Sequence, residues 1–146
     1  MGERTPSTLA PRLPLRTLWL GAGWLGVAIV IYYTLAPDPP QIDIEDGDKL
    51  QHLAAYAGLM LWFAQVRTGL AQRRVTALLL LAMGIALELA QGLTDYRTMS
   101  IADAAADAVG IALGWLAAPP RSPNVFAWVA ARMRPMRFRP SDRPPD

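Results

Sequence analysis

Polar side chains stand at regular spacings in three otherwise apolar stretches of this sequence. The first stretch, D-K-L-Q-H-L-A-A-Y, contains Asp48, Lys49, His52 and Tyr56. At about 100° per residue, these four side chains lie on one face of a helix. His52 is the only histidine of the chain, and an imidazole beside carboxylates can act as a general base or acid.

The other two stretches are rich in carboxyl groups. Their polar residues are Glu88 and Gln91 in E-L-A-Q, and Arg97, Ser100, Asp103 and Asp107 in R-T-M-S-I-A-D-A-A-A-D-A-V-G. At helical spacing, Gly84 shares a face with the first pair, and Gly110 and Gly114 share a face with Asp103 and Asp107. Small residues allow helix backbones to pack closely, so we assign these three glycines to helix packing.

The segments that carry these residues are apolar enough to cross a membrane. The chain of 146 residues is 53% hydrophobic, and its charges are clustered. Segments of low charge cover residues 17–36, 50–66, 75–94 and 101–118, and a membrane-spanning helix needs roughly 17–25 residues. The sequence therefore predicts an all-α, polytopic membrane protein whose single domain, residues 17–118, is a four-helix transmembrane bundle.

A secretory signal is the alternative for the first segment, because basic residues precede it and Thr34-Leu35-Ala36 resembles a cleavage site. The segment is longer than the roughly 7–15 apolar residues of a signal, and Pro37 would directly follow the cut. We therefore expect a retained transmembrane helix.

Basic residues predict the orientation of the bundle. Of the 14 Lys and Arg residues, all except Lys49 and Arg97 fall on one side if four helices alternate in direction. Positively charged loops remain in the cytoplasm. We therefore expect both termini in the cytoplasm and acidic loops outside the cell. The acids of these loops are Asp38, Asp43, Glu45, Asp46, Asp48 and Asp95.

The two ends of the chain have separate predictions. Residues 1–16 are expected to form a disordered cytoplasmic N-terminus, and residues 119–146 a basic cytoplasmic tail. Within the tail, Asn124 can cap a helix over residues 124–134, whose apolar and basic residues suit the surface of anionic lipid. A tail that only fixes the topology is the alternative.

Depth along the helices predicts where the polar residues meet. With about 1.5 Å of rise per residue, His52, Tyr56, Glu88, Asp103 and Asp107 all fall in the outer part of their helices. Intramembrane charges are costly and face the interior of a bundle. The sequence therefore predicts an outward-facing polar pocket, with a hydrogen-bonded plug that binds nothing as the alternative. The pocket residues are Asp48, Lys49, His52, Tyr56, Glu88, Gln91, Arg97, Ser100, Asp103 and Asp107.

In their order and spacing, these motifs resemble the VanZ-like family of bacterial membrane proteins. The resemblance rests on D-K-x-x-H-x-x-x-Y, E-x-x-Q and R-x-x-S-x-x-D-x-x-x-D-x-x-G, and it covers about residues 48–116. The family usually has Asn where this chain has Asp107. The resemblance implies a multi-pass protein of the bacterial cytoplasmic (inner) membrane. It also implies a link to antibiotic resistance, because the founding member is associated with resistance to the lipoglycopeptide teicoplanin.

The predicted pocket favours binding over catalysis. We expect Lys49, His52 and Arg97 to hold a lipid, a lipid-linked cell-wall precursor or a glycopeptide-type ligand without turnover. Membrane lipids are the expected partners, and no nucleic acid is expected. One alternative is a membrane-embedded enzyme with His52, Glu88 and Asp103 as catalytic residues. The other is a purely structural protein.

Several chemistries are disfavoured by the residue types. The chain has no cysteine, which excludes disulfides and thiolate sites. No G-x-S-x-G motif occurs, and Ser100 is the only serine near the polar stretches. The inner halves of the helices lack ionisable groups for a proton relay. His52 and the carboxylates could hold a metal by geometry. No short ligand motif supports one, so we expect no cofactor and no metal.

Overall fold

The computed structural model of the protein describes residues 15–40, 44 and 46–133. Within these residues the chain forms five α-helices and no β-strand, so the all-α prediction is confirmed. The helices are α1 (Leu15–Leu35), α2 (Gly47–Ala64), α3 (Leu70–Gln91), α4 (Ile101–Ala117) and α5 (Val125–Arg132). The predicted disordered N-terminus up to residue 14, the loop acids Asp43 and Glu45, and the tail beyond residue 133 lie outside the described residues.

Several helix ends differ from the apolar segments of the sequence. Residues 15 and 16, predicted in the disordered terminus, begin α1. α2 begins at Gly47 rather than at residue 50, and α3 begins at Leu70 rather than at residue 75 and ends at Gln91. The early starts include charged residues, because a helix continues wherever its backbone hydrogen bonds can form, whereas hydropathy drops at the first charge.

By length and composition, α1 and α3 are the candidate membrane spans among the described helices. They have 21 and 22 residues, and each contains an apolar stretch of 18 residues with at most two charged side chains. α2 has 18 residues and an acidic first turn, and α4 has 17 residues. Two such helices are weak support for membrane association, because a signal sequence or the core helix of a soluble protein can have the same properties.

Large apolar side chains cover the outside of the helices. In the 18-residue apolar stretch of each helix, only 17% of the residues of α1 and 33% of those of α3 are buried. Leu25, Leu78 and Leu113 are 63, 64 and 47% exposed, whereas Asp107 is 1% exposed. A soluble protein turns its apolar helix faces inward. The observed distribution therefore fits an apolar surrounding.

α2 and α4 form the most extensive helix pair. Gly110 and Gly114 of α4 lie against the backbone of Leu53 and Ala57 in α2, where an added Cβ would overlap the carbonyl oxygens. This four-residue spacing of small residues permits close packing of membrane helices. The pairing brings the N-terminal part of α2, with His52, next to the first turns of α4.

Two tryptophans attach α1 to α2. The indole N–H of Trp19 donates to the carbonyl oxygen of Trp62 at 3.2 Å, and the indole N–H of Trp62 donates to the carbonyl oxygen of Trp19 at 2.9 Å. The two rings stack with their centroids 4.2 Å apart. Because both indole donors are satisfied inside the bundle, the pair holds α1 at a defined register along α2.

Arg73 holds the end of the bundle opposite to His52. Its guanidinium donates to the carbonyl oxygens of Pro119 at 2.6 Å and of Arg67 at 3.1 Å. These two residues follow the ends of α4 and α2, so one side chain of α3 connects three helices. Because Arg73 falls between the predicted segments 50–66 and 75–94, the sequence predicts it in a basic loop. The structure buries it within α3, because the free carbonyl groups beyond two helix ends supply its acceptors.

The short helix α5 is capped and docked against the bundle. The side chain of Asn124 accepts a hydrogen bond from the backbone N–H of Ala127 at 2.8 Å, which is the cap that the sequence suggests. The same side chain donates to the carbonyl oxygen of Gln65 at 3.0 Å. Phe126 packs edge-on against Trp19 with a centroid distance of 5.5 Å. α5 is therefore attached to the ends of α1 and α2.

Candidate functional site

Four ionisable side chains from three helices converge inside the bundle. His52 comes from the second turn of α2, Glu88 from the last turn of α3, and Asp103 and Asp107 from the first two turns of α4. A ring nitrogen of His52 and one carboxylate oxygen each of Glu88 and Asp103 lie within 4.8 Å of one another. Oδ1 of Asp107 lies 3.0 Å from Nδ1 of His52. We call these four residues the acid–histidine cluster.

The carboxyl groups of the acid–histidine cluster are buried and only partly hydrogen-bonded. Glu88, Asp103 and Asp107 are 3, 8 and 1% exposed. Within the described part of the chain, no donor reaches Oε1 of Glu88, Oδ1 of Asp103 or Oδ2 of Asp107. A buried polar atom without a partner costs about 1–3 kcal/mol, and more when it is charged. Each of these three oxygens would therefore be stabilised by a donor or a cation.

Ser100 connects the acid–histidine cluster to the start of α4. Its side-chain oxygen accepts a hydrogen bond from the backbone N–H of Asp103 at 3.2 Å, and its own backbone N–H donates to Oε2 of Glu88 at 2.8 Å. Serine is a preferred N-cap residue, which explains why α4 begins directly after it. The two hydrogen bonds keep Glu88 of α3 beside the first turn of α4.

Gly84 allows α3 to approach the acid–histidine cluster closely. A Cβ at this position would lie 3.1 Å from the hydroxyl oxygen of Tyr56 and would overlap the carboxylate of Asp107. Tyr56 is itself buried, at 1% exposure. Gly84, which the sequence assigned to helix packing, therefore lies next to the buried carboxylate of Asp107.

A cavity of about 420 Å³ lies beside the acid–histidine cluster. Its polar side chains are those of Asp48, Gln51, His52, Tyr56 and Arg97. The facing wall, which is largely apolar, consists of Ile29, Val30, Tyr33, Thr34, Pro39 and Pro40, together with Ala55 of α2. Of the acid–histidine cluster, only His52 lines the cavity. Its side chain therefore stands between the cavity and the buried carboxylates.

The predicted pocket residues divide into three groups in the structure. The cavity is lined by Asp48, His52, Tyr56 and Arg97. The buried carboxyl groups of Glu88, Asp103 and Asp107 form a second group, together with Ser100, which is hydrogen-bonded to Glu88 and Asp103. Lys49 and Gln91 belong to neither group. The sequence therefore placed in one pocket residues that the structure divides between a cavity wall, a buried group and contacts elsewhere.

Lys49 and Gln91 make contacts of their own. The ammonium group of Lys49 lies 2.6 Å from Asp46 and 3.5 Å from Asp48. The hydrogen bond to Asp46 raises the pKa of Lys49, and the backbone N–H of Lys49 lowers the pKa of Asp48. Gln91 is buried, and its side-chain amide donates to the carbonyl oxygen of Thr34 at 2.7 Å. Gln91 thus connects α3 to α1.

The apolar wall of the cavity is the part that sequence reasoning missed. Ile29 and Val30 lie in an uncharged helix, and the resemblance begins only at residue 48. No local signal distinguishes these two residues from other exposed apolar residues of the same helix. Only the docking of α1 on α2 brings them opposite His52.

The donor atoms of the acid–histidine cluster suit two kinds of chemistry. An imidazole in contact with a carboxylate can take up or release a proton. One imidazole nitrogen together with carboxylate oxygens is also a donor set for divalent metal ions. His52, Glu88 and Asp103 form such a group within the described residues.

Comparisons of the chain with models of protein families, with curated proteins and with solved structures find no match. The resemblance to the VanZ-like family therefore stays a prediction from the motifs.

Proposed function

We propose that the chain is a VanZ-like protein of the bacterial cytoplasmic membrane in which α1 to α4 all cross the bilayer and both termini are cytoplasmic. At 1.5 Å per residue, the 18 residues of α2 and the 17 residues of α4 extend about 27 and 26 Å. The hydrocarbon core is about 30 Å thick, and a slightly short span is accommodated by local thinning of the bilayer. The buried polar faces and exposed apolar faces of the helices support this arrangement.

Within this bundle, the cavity beside His52 binds an amphiphilic molecule from the outer leaflet, such as a lipid or a lipid-linked cell-wall precursor, without converting it. The observation that carries the proposal is the contrast between the two walls of the cavity. Ile29 and Val30 present apolar surface, and His52 and Arg97 present groups that can hold an anion. Mostly apolar cavities with a few convergent polar groups are typical ligand sites.

The volume of the cavity limits its ligand. About 420 Å³ lies within the roughly 300–1,000 Å³ of small-molecule sites. Such a cavity has room for a headgroup and the first part of an acyl chain, but not for a complete glycopeptide. A glycopeptide-type ligand would insert only a part, such as its lipid tail.

Binding without turnover is favoured by the position of the acids. A general acid or base must come within about 2.6–3.2 Å of the proton that it transfers. Glu88 and Asp103 lie behind His52 and do not line the cavity. The enzyme alternative is favoured by one observation, the 3.0 Å contact of His52 with Asp107, which would orient the imidazole as a base.

Lipid binding to the purified full-length protein tests the proposal. With a short-chain fluorescent phosphatidylglycerol as probe, Ile29→Trp should weaken binding at least tenfold, about 1.4 kcal/mol, because the larger side chain fills the cavity. Leu25→Trp is the matched control, since Leu25 lies on the same helix, is 63% exposed and does not line the cavity. Arg97→Gln should weaken binding of the anionic probe more than that of a phosphatidylcholine probe.

Two results would contradict the proposal. Equal affinity of Ile29→Trp, Leu25→Trp and the unchanged protein would show that the cavity does not bind the lipid. Mass spectrometry of the recovered probe tests the enzyme alternative. A chemical change of the probe that is lost when His52 is replaced would show catalysis and contradict binding without turnover.

A further inference from the structure

We infer that His52, Glu88 and Asp103 bind one divalent first-row transition-metal ion beside the cavity. The sequence favoured no metal, because no short ligand motif is present. The structure instead assembles donors from α2, α3 and α4, which are far apart in the chain. The inference rests on the proposed function in one respect: His52 also lines the cavity that is proposed to bind a lipid.

The distances suit a single ion. One donor atom of each of the three residues lies within 4.8 Å of the other two. Nitrogen and oxygen ligands stand about 2.0–2.2 Å from an ion such as Zn²⁺, so three ligands spaced evenly around one ion are about 3.5–3.8 Å apart. Side-chain movements of less than about 1 Å would therefore bring all three donors to ligand distance.

The unpartnered oxygens are the second, independent observation. Oε1 of Glu88 and Oδ1 of Asp103 are buried and accept no hydrogen bond from the described residues, and the same holds for Oδ2 of Asp107. In that part of the chain no Lys or Arg forms an ion pair with these carboxylates, and the nearby ammonium of Lys49 contacts Asp46 and Asp48 instead. Buried charges require a counter-charge, and a divalent cation would provide it for several carboxylates at once.

The donor set narrows the class of ion. Carboxylates alone suit Mg²⁺ or Ca²⁺, whereas an imidazole adds preference for ions such as Mn²⁺, Fe²⁺ or Zn²⁺. The contact between Asp107 and Nδ1 of His52 resembles the carboxylate–histidine pairs that orient metal-binding imidazoles. An ion held next to His52 would also place positive charge beside the cavity, where it would attract an anionic headgroup.

Titration of the purified full-length protein with MnCl₂ tests the inference. Electron paramagnetic resonance of free Mn²⁺ should show one bound ion per chain, displaced by ZnCl₂ and not by an equal concentration of MgCl₂. Glu88→Gln and Asp103→Asn should each weaken binding at least tenfold, since each removes an anionic ligand. Asp95→Asn is the matched control, because Asp95 is an exposed carboxylate outside both the cavity and the metal group and should leave Mn²⁺ binding unchanged.

Thermal unfolding provides a readout that does not depend on activity. In EDTA, Glu88→Gln should unfold at the same temperature as the unchanged protein or higher, because it removes a buried charge while keeping an oxygen for the N–H of Ser100. On addition of Mn²⁺, the unfolding temperature of the unchanged protein should rise and that of the variant should not. Asp103→Asn supplies the same comparison if Glu88→Gln does not fold.

The inference is overturned if the unchanged protein does not reduce the free Mn²⁺ signal, or if both variants bind Mn²⁺ as tightly as it does. Its failure is distinguishable from that of the proposed function. Phosphatidylglycerol binding in EDTA with no Mn²⁺ binding would refute the metal site alone. Stoichiometric Mn²⁺ binding without lipid binding would refute only the lipid site.

Discussion

His52 belongs both to the cavity wall and to the acid–histidine cluster. Its side chain is 12% exposed and contacts Asp107, which is buried behind it. The sequence could place His52 and Tyr56 on one helix face, because that relation depends only on their spacing. It could not show that Glu88 and Asp103 come within reach of one His52 ring nitrogen, because that relation depends on how three helices pack.

Arg73 and Arg74 are neighbours in the chain with opposite surroundings. Arg73 is buried and donates to carbonyl groups at two helix ends, whereas Arg74 is exposed. We predict that Arg73→Met lowers the free energy of unfolding by at least about 1.5 kcal/mol, because hydrogen bonds of charged groups contribute about 1.5–3 kcal/mol. Chemical unfolding of the purified protein in detergent measures the loss.

Arg74→Met is the matched control for Arg73→Met, since it removes the same charge one residue away and should change stability by less than about 0.5 kcal/mol. Both variants remove one positive charge from the same end of α3, so an effect on membrane orientation would be common to them. An equal loss of stability in the two variants would refute the structural role of Arg73.

The contact between α2 and α4 is the element on which the candidate site depends most. Gly110 and Gly114 allow α4 to lie directly on the backbone of α2, and this contact aligns Asp107 with His52. The glycines could be assigned to helix packing from their spacing in the sequence. Their partners, Leu53 and Ala57, could not, because several surfaces of α2 and α3 carry small residues.

We predict that Gly110→Ala destabilises the protein by about 1–3 kcal/mol, the usual cost of overpacking. The added Cβ would meet the carbonyl group of Leu53, which is backbone and cannot rotate away. The same variant should also weaken ligand binding, because it pushes α4 and its carboxylates away from His52. Thermal unfolding and the fluorescent lipid titration measure the two effects.

Gly58→Ala on α2 serves as the control for Gly110→Ala. No atom lies within 4 Å of a Cβ built at Gly58. Alanine is a better helix former than glycine by up to about 1 kcal/mol, so this variant should be neutral or slightly more stable. A loss of stability at Gly58 equal to that at Gly110 would show that helix propensity, and not the contact with α2, determines the result.

α5 changes the interpretation of the basic tail. The sequence left open whether this segment is a helix on the membrane surface or a charge that only fixes topology. The structure shows a capped helix docked on α1 and α2, with the guanidinium carbon of Arg132 3.5 Å from the ring centre of Trp128. Trp128 is 56% exposed. An exposed tryptophan next to an arginine is suited to the headgroup region of a bilayer.

The number of membrane crossings is a property of the whole molecule. It distinguishes the proposed four-span arrangement from one in which only α1 and α3 cross. Reporter fusions distinguish the two. Alkaline phosphatase, which is active only outside the cytoplasm, should be active when fused after Pro40 or Thr94 and inactive when fused after Gly69 or Ser122. This alternation follows if each of α1 to α4 crosses the bilayer once.

A protein in which only α1 and α3 cross would give a different pattern. With a cytoplasmic N-terminus, the fusion after Gly69 would then be active and the fusion after Thr94 inactive. The fusion after Pro40 is active under both arrangements and serves as the control for export of the reporter. Activity after Gly69 would therefore overturn the four-span proposal.

Local patterns in the sequence were sufficient to predict the helices, their approximate ends and which residues share a helix face. These properties depend on hydropathy and on the 3.6-residue period, which both involve residues close together in the chain. The cavity wall formed by Ile29 and Val30 was not accessible in this way. The same holds for the contact of Gln91 with Thr34 and that of His52 with Asp107, whose partners are 57 and 55 residues apart. These features depend on the depth and rotation at which whole helices pack, and close packing at a few glycines determines both.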